Sequence, residues 1–256
     1  MLYALCYYFF MRIKLTVAYD GTDYCGWQVQ PNGITIQEKL NQAVSDLFGN
    51  EIQTIGASRT DSGVHALGNV AVFDADTRMP ASKVAFALNE RLPRDIVIQQ
   101  SEEVPADFHP RFAKTNKVYE YRILNRTFPD PLLSRYTYFF HRKLDEGLMD
   151  EEAQALVGEH DFTSYASIKS QTNTFVRTIH SISVKRDERD VITIRVEGNG
   201  FLYNQVRIIA GSLILVGSGQ RERGFIKEAL EKKEREAAGP TAPPEGLTLI
   251  RIDYGR

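Results

Sequence analysis

Asp61 sits in the polar stretch ASRTDSGVHA, Ala57–Ala66, with Arg59 two residues before it and His65 four residues after it. A carboxylate held beside a cation stays ionised and can act as a nucleophile or a base. The same residue types also build a plain polar turn: Gly63 permits a tight bend, and Thr60 and Ser62 can bond nearby main-chain groups. Spacing alone favours the turn. His65 is a second candidate base, though a lone histidine more often serves as a structural hydrogen-bonder.

Two further stretches could carry chemistry. HPRFAKTNKVYEYRILNR, from His109 to Arg126, holds five Arg or Lys against one Glu, with Phe112, Tyr119 and Tyr121 interleaved. Cations mixed with aromatic rings suit phosphate contact and base stacking on single-stranded nucleic acid. On a strand Tyr119 and Tyr121 share a face, because side chains alternate. A solvated basic edge strand would carry the same pattern. In EGNGFLYNQVRIIAGSLILVG, which begins at Glu197, Arg207 lies inside an apolar helical run. An unpaired charge there is costly, so Arg207 calls for a carboxylate, a phosphate or an opening to water, and a part-buried ion pair is the favoured reading. No GxxxxGK phosphate loop, HExxH metal helix or GxSxG elbow is present, so neither a cofactor nor a metal is expected.

The elements that must position these residues follow one plan twice. RIKLTVA, Arg12–Ala18, alternates as a half-buried strand does. Thr35 and Glu38 form a capping box ahead of a helix whose apolar face is Ile36, Leu40, Ala43, Val44 and Leu47. Strands are expected at Glu51–Ile55 and Gly68–Phe73 on either side of the Asp61 loop, then a helix at Ala81–Leu92 and a strand at Asp95–Gln100. The second half repeats the order. It has a strand at Lys117–Leu124, a helix at Asp150–Val157, strands at Phe175–Val184 and Asp190–Glu197, helices at Phe201–Val216 and Phe225–Glu236, and a closing strand at Leu247–Ile252. Two βαββαβ units in series predict an α+β protein of two ferredoxin-like halves, residues 12–112 and 113–256, behind an extension of residues 1–11.

Composition narrows the function further. The 256 residues are 43% hydrophobic and 25% charged, as in soluble globular chains. No apolar run nears the roughly 20 residues of a membrane-spanning helix, so no membrane partner is expected. Cys6 and Cys25 are the only cysteines, which excludes a disulfide scaffold and points to a reducing, cytoplasmic compartment. A net charge of -2 argues against a uniformly basic coat but permits a local basic cleft. The opening MLYALCYYFF lacks the basic start and small-residue cleavage site of a secretory signal. It reads as an extension ahead of the functional start, with a short membrane anchor as the weaker alternative.

Taken in order, YDGTDYCGWQVQP, TIQEKL, GASRTDSGVHALG, FHPRFAKTNKVYEYRI, GEHDFTSY, GNGFLYNQVRIIAGSL and APPEGLTL resemble the TruA family of tRNA pseudouridine synthases over nearly all of Arg12–Tyr254. Gln205 and Ile208 depart from residues often found around the helical arginine, while Arg207 itself is kept. The resemblance implies a pseudouridine synthase fold: two ferredoxin-like halves, a mixed and mostly antiparallel sheet, helices and a central cleft. It implies Asp61 as nucleophile, Arg207 as its ion-pair partner, Tyr119 packed on the target base, Arg59 helping to displace that base, and Leu247 as an apolar wall. It further implies a homodimer that needs no cofactor and isomerises uridine at positions 38, 39 and 40 in the anticodon stem-loop of tRNA. A non-catalytic RNA-binding module is the main alternative, and a carboxylate-based glycosidase the lesser one.

Overall fold

The computed structural model describes residues 10–170 and 172–255. The expected extension therefore lies outside the described residues up to position 9. The chain divides into two compact units between Ala113 and Lys114.

In the N-terminal unit the elements are β1 (Phe10–Tyr19), α1 (Ile36–Phe48), β2 (Ile55–Gly56), β3 (His65–Asp76), α2 (Ala81–Asn89) and β4 (Ile96–Val104). Strand β1 runs longer than expected, because Phe10 and Met11 already pair with Asp76 and Ala75 of β3. It buries Ile13, Leu15, Val17 and Tyr19 on one face. On the other, Arg12 grips Asp74 through two hydrogen bonds of 2.7 Å.

The capping box forms as expected: Thr35 Oγ1 accepts from Glu38 N–H, and Glu38 Oε2 accepts from Thr35 N–H. The expected strand at Glu51–Ile55 shrinks to Ile55–Gly56. Side chains of α1 take its main-chain groups instead: Asn41 Oδ1 accepts from Thr54 N–H (2.9 Å), and Ser45 Oγ accepts from Ile52 N–H (3.0 Å). Helix α2 stops at Asn89, not Leu92, and the Asn89 side chain bonds both main-chain groups of Ile98.

The C-terminal unit contains β5 (Thr115–Leu124), β6 (Tyr138–Phe139), α3 (Glu146–Ala153), β7 (Gly158–Asp161), β8 (Val176–Arg186), β9 (Val191–Gly198), α4 (Gln205–Gly217), α5 (Phe225–Lys232) and β10 (Leu247–Tyr254). Three helices differ from expectation. Helix α3 begins earlier, because Asp145 caps it by accepting from Leu148 N–H. Asp150 falls inside that helix, where its carboxylate accepts from Val184 N–H at 2.7 Å. Helix α4 begins at Gln205 rather than Phe201, since Asn204 has φ +62° and breaks the helical path. Helix α5 ends at Lys232 because Lys233 is left-handed. Strands β6 and β7 were not anticipated, being two and four residues long.

Both units use one spatial order. In the first, β4–β1–β3 continues to β2; in the second, β10–β5–β9 continues to β8 and then β7. Counting the four main strands of each unit along the chain, the order is fourth, first, third, second. The main-strand pairings within each unit are antiparallel, and the short β6 runs parallel to β5. The result is the expected α+β architecture of ferredoxin-like βαββαβ units. Among the described residues no helix is long and apolar enough to cross a membrane.

Candidate active site

The Asp61 loop joins β2 to β3 and is braced on both flanks. Its turn closes through the main chain: Val64 N–H donates to Asp61 C=O (3.2 Å), and Gly63 N–H donates to Tyr24 C=O (3.3 Å). Ser62 Oγ–H donates to the same Tyr24 carbonyl. Upstream, Thr60 Oγ1 meets Tyr19 Oη at 2.7 Å, and Asn69 Nδ2 donates to Tyr19 Oη and to Ser58 C=O. Thr60 C=O accepts from Trp27 N–H at 3.0 Å. Gly26 makes this approach possible, for it has φ +86° and a Cβ there would stand 2.6 Å from Thr60 O. Asp61 is thus a half-buried residue on a loop whose main chain is held by Tyr24, Trp27 and Asn69.

His65 is a clamp in this frame. It is 3% exposed, and its Nδ1 accepts from Gly21 N–H at 3.1 Å, with Asp20 Oδ1 at 3.2 Å. An imidazole enclosed in this way is spent on structure, which favours the hydrogen-bonder over the base. Nearby, Tyr24 Oη–H donates to Asp95 Oδ1, and burial pushes this phenol above its usual range, with the Asp95 hydrogen bond adding to it.

Arg59 is exposed and makes no ion pair with a carboxylate among the described residues. Arg111, in the turn after β4, donates from Nε to Gly56 C=O at 2.8 Å, three residues before Arg59. Its pKa is lowered, first by burial and then by the charge of Arg59. Two like charges within electrostatic reach of each other repel, and an anion between them offsets that cost.

In the C-terminal unit Tyr119 and Tyr121 lie two apart on β5. Tyr119 is 7% exposed and meets Phe201 edge to face, ring centres 5.2 Å apart. Tyr121 is fully buried, and its hydroxyl donates to Pro243 C=O at 2.8 Å. Its pKa is raised, chiefly by burial and then by Glu245, with Arg207 working the other way. A stacking surface on exposed tyrosines is therefore not what β5 offers. Leu247, the first residue of β10, pairs with Tyr121 and is buried.

Arg207 is half-buried in the first turn of α4. Its Nε donates to Ala242 C=O (2.8 Å), and Ala242 N–H returns a bond to Arg207 C=O (3.1 Å). Its Nη1 donates to Asn204 Oδ1 at 3.1 Å. Asn204 stands at the helix N-cap without capping it; its side chain serves the arginine instead. The loop bearing Ala242 lies close on α4, with Gly239 N–H donating to Ser212 Oγ, and a Cβ on Gly211 would fall 1.9 Å from Pro240 O. Sequence reading did not single out Asn204; an Asn directly before an apolar helical run was the available cue. No group of three or more potential metal ligands occurs among the described residues.

The fold and these braced residues fit an enzyme class that handles RNA, and comparison with known proteins specifies it. A family model described as tRNA pseudouridine synthase matches residues 15–113 and 153–255. The chain belongs to that family of isomerases. The matched stretches include Arg59, Asp61, Arg207 and Leu247, whereas Tyr119 falls between them. The chain is 44% identical to tRNA pseudouridine synthase A of Thermoanaerobacter sp. (strain X514) over 243 residues, covering 95% of this chain and 99% of that one. The protein of the same name from Brevibacillus brevis is 44% identical over the same shares. That from Parvibaculum lavamentivorans is 42% identical over 244 residues.

Proposed function

We propose that the protein converts uridine to pseudouridine at positions 38, 39 and 40 of the tRNA anticodon stem-loop, with Asp61 as nucleophile. The observation that carries this reading is the family match, joined to a carboxylate whose loop is immobilised by Thr60, Ser62, Gly63 and Gly26. The reaction breaks the bond from ribose carbon 1′ to uracil nitrogen 1, turns the base and forms a bond from carbon 1′ to carbon 5. The carbon 5 proton leaves and nitrogen 1 gains one, so the balance is redox-neutral. An ionised Asp61 can attack carbon 1′ or uracil carbon 6, or assist loss of the 2′ proton. Arg207 is the partner that keeps this carboxylate ionised and stabilises charge in the transition state.

A base in a helical stem must first leave the stack, at a cost of a few kcal/mol. Arg59 helps displace it, Tyr119 packs against it and Leu247 walls the site. The protein works as a homodimer in the cytoplasm, and its local cations rather than its net charge hold the RNA. Its tRNA affinity should therefore fall steeply with salt despite a net charge of -2.

The deciding experiment is tritium release from tRNA carrying 5-tritiated uridine, followed by nucleoside mapping of the anticodon arm. Release with pseudouridine at these positions is the expected result. Binding without release would favour a non-catalytic RNA-binding module, and free uracil would indicate a glycosidase.

A further inference from the structure

Among the exposed aromatic rings, Phe112 stands apart. It is 84% exposed, and its ring stacks on His109 with centres 4.1 Å apart and planes 21° from parallel. The short turn that presents it is closed by Phe112 N–H and Ala113 N–H donating to His109 C=O, and Arg111 N–H donates to His109 Nδ1. His109 is thereby fixed behind the phenyl ring, leaving a stiff two-ring platform facing water. Between the two stacked residues in sequence is Arg111, whose guanidinium is anchored at Gly56 C=O beside the Arg59 loop.

Phe86 and Phe128 are differently placed. Phe86 already has the Lys83 ammonium 5.3 Å from its ring centre. Near Phe128, Arg126 is occupied by Asp130 at 3.1 Å. Beside Phe112 the two arginines have no carboxylate partner among the described residues. An exposed ring with a fixed backing suits a nucleobase, and two cations without acids suit a phosphate.

We propose that the His109–Phe112 stack is a platform for one unpaired nucleobase of the tRNA, and that Arg59 and Arg111 together bind a phosphate next to that base. The two stacked rings are not among the residues assigned to the reacting uridine, Arg59 alone being shared with them, and their role is to fix where the RNA strand runs. This inference rests on the reading of the protein as a tRNA-modifying enzyme.

The test compares wild type with Phe112→Ala, Phe112→Trp and Arg111→Gln, using tRNA affinity across a salt series together with steady-state tritium release. Phe112→Ala should weaken binding about tenfold, the scale of one lost base stack. It should raise KM in step, affect kcat much less, and leave the salt slope as it was. Phe112→Trp should bind as wild type does. Arg111→Gln should lower the logarithmic salt slope by about one, as expected for one lost phosphate contact. Wild-type affinity in Phe112→Ala, or an unaltered slope in a folded Arg111→Gln, would overturn the proposal. So would a lower mass of Phe112→Ala by light scattering with RNA affinity intact, which would make the ring a protein contact. Failure of wild type itself to release tritium would refute the enzymatic reading instead, so the two failures are told apart.

Discussion

The two units share a strand order but place their candidate chemistry in opposite connections. In the N-terminal unit the link from the second strand to the third, Ala57–Val64, carries Asp61; in the C-terminal unit the same link is the turn Asp187–Asp190. There an aspartate is consumed by its own turn: Asp187 Oδ1 accepts from Arg189 N–H (2.8 Å) and Val191 N–H (3.0 Å). Around Asp61 the turn is closed by the main chain, Ser62 and the Tyr24 carbonyl. The link from third strand to second helix reverses the roles. In the first unit it is Thr77–Pro80, where Thr77 Oγ1 accepts from Met79 N–H and Pro80 C=O accepts from Lys83 N–H. In the second, Asn199–Asn204 leads into the turn that presents Arg207. A βαββαβ frame offers the same loops twice, and the two units close the corresponding turn by different groups.

The largest effect should come from exchanging these two kinds of aspartate. Asp61→Asn and Asp61→Ala should lower tritium release by at least about 10³-fold while fold and tRNA affinity stay largely intact. Asp187→Ala should cost about 1 kcal/mol of stability, read by denaturant unfolding, and leave the rate alone. Near wild-type turnover in Asp61→Asn would remove it from the nucleophile role and erase the contrast.

The second effect isolates the opposite link. Asn204→Gly keeps a residue at ease with φ +62° but withdraws the oxygen that holds Arg207 Nη1. A misdirected arginine should lower kcat about 10- to 100-fold. KM and the melting temperature should move little, and Asn204→Asp should recover part of the rate. If Asn204→Gly retains full kcat, the bond from Asn204 is not needed to aim the arginine.

These contrasts also mark how far the chain could be read in one dimension. Alternation in RIKLTVA and the Thr35–Glu38 capping box were legible because both are local, and the βαββαβ order followed. The strand at Glu51–Ile55 was misjudged because Asn41 and Ser45, on the helix before it, captured its amides. The candidate site residues stood out by type: a carboxylate between an arginine and small residues, and an arginine among Val206, Ile208 and Ile209. What braces them was hidden, since Thr60 meets Tyr19 across 41 positions and Arg207 meets Ala242 across 35. The aromatic strand was half legible. Tyr119 and Tyr121 are interior, and the exposed ring of that cluster is Phe112.

A smaller effect concerns Tyr119, which separates packing from hydroxyl chemistry. Tyr119→Phe preserves the ring and its edge contact with Phe201, so tRNA binding should persist, whereas Tyr119→Ala should lose roughly tenfold if the ring packs on the base. A large drop in rate for Tyr119→Phe at unchanged affinity would place its hydroxyl in proton transfer at carbon 5. Unchanged rates in both variants would take Tyr119 out of the site.

The smallest effect tests the frame of the C-terminal unit, away from Asp61 and Arg207. Arg186, at the end of β8, donates from Nε and Nη2 to Glu146 Oε2 at 3.1 Å each, and to Asn125 and Leu144. That hydrogen bonding holds the Glu146 carboxyl below its ordinary value of 4.5. A carboxylate with a depressed folded pKa stabilises the protein fully above its unfolded pKa. The contribution is lost as pH falls from about 4.5 through the lower folded value. The Glu146 side chain is 39% exposed, so solvent screening limits the gain to at most about 1 kcal/mol. Glu146→Gln should therefore unfold more easily than wild type at about pH 7, and the gap should narrow as the pH falls below about 4.5. Isomerisation at neutral pH should be unaffected, since the pair fastens α3 to β8 and touches neither Asp61 nor Arg207. A gap that persisted in acid would mean that the hydrogen-bond geometry of Glu146, not its charge, carries the effect.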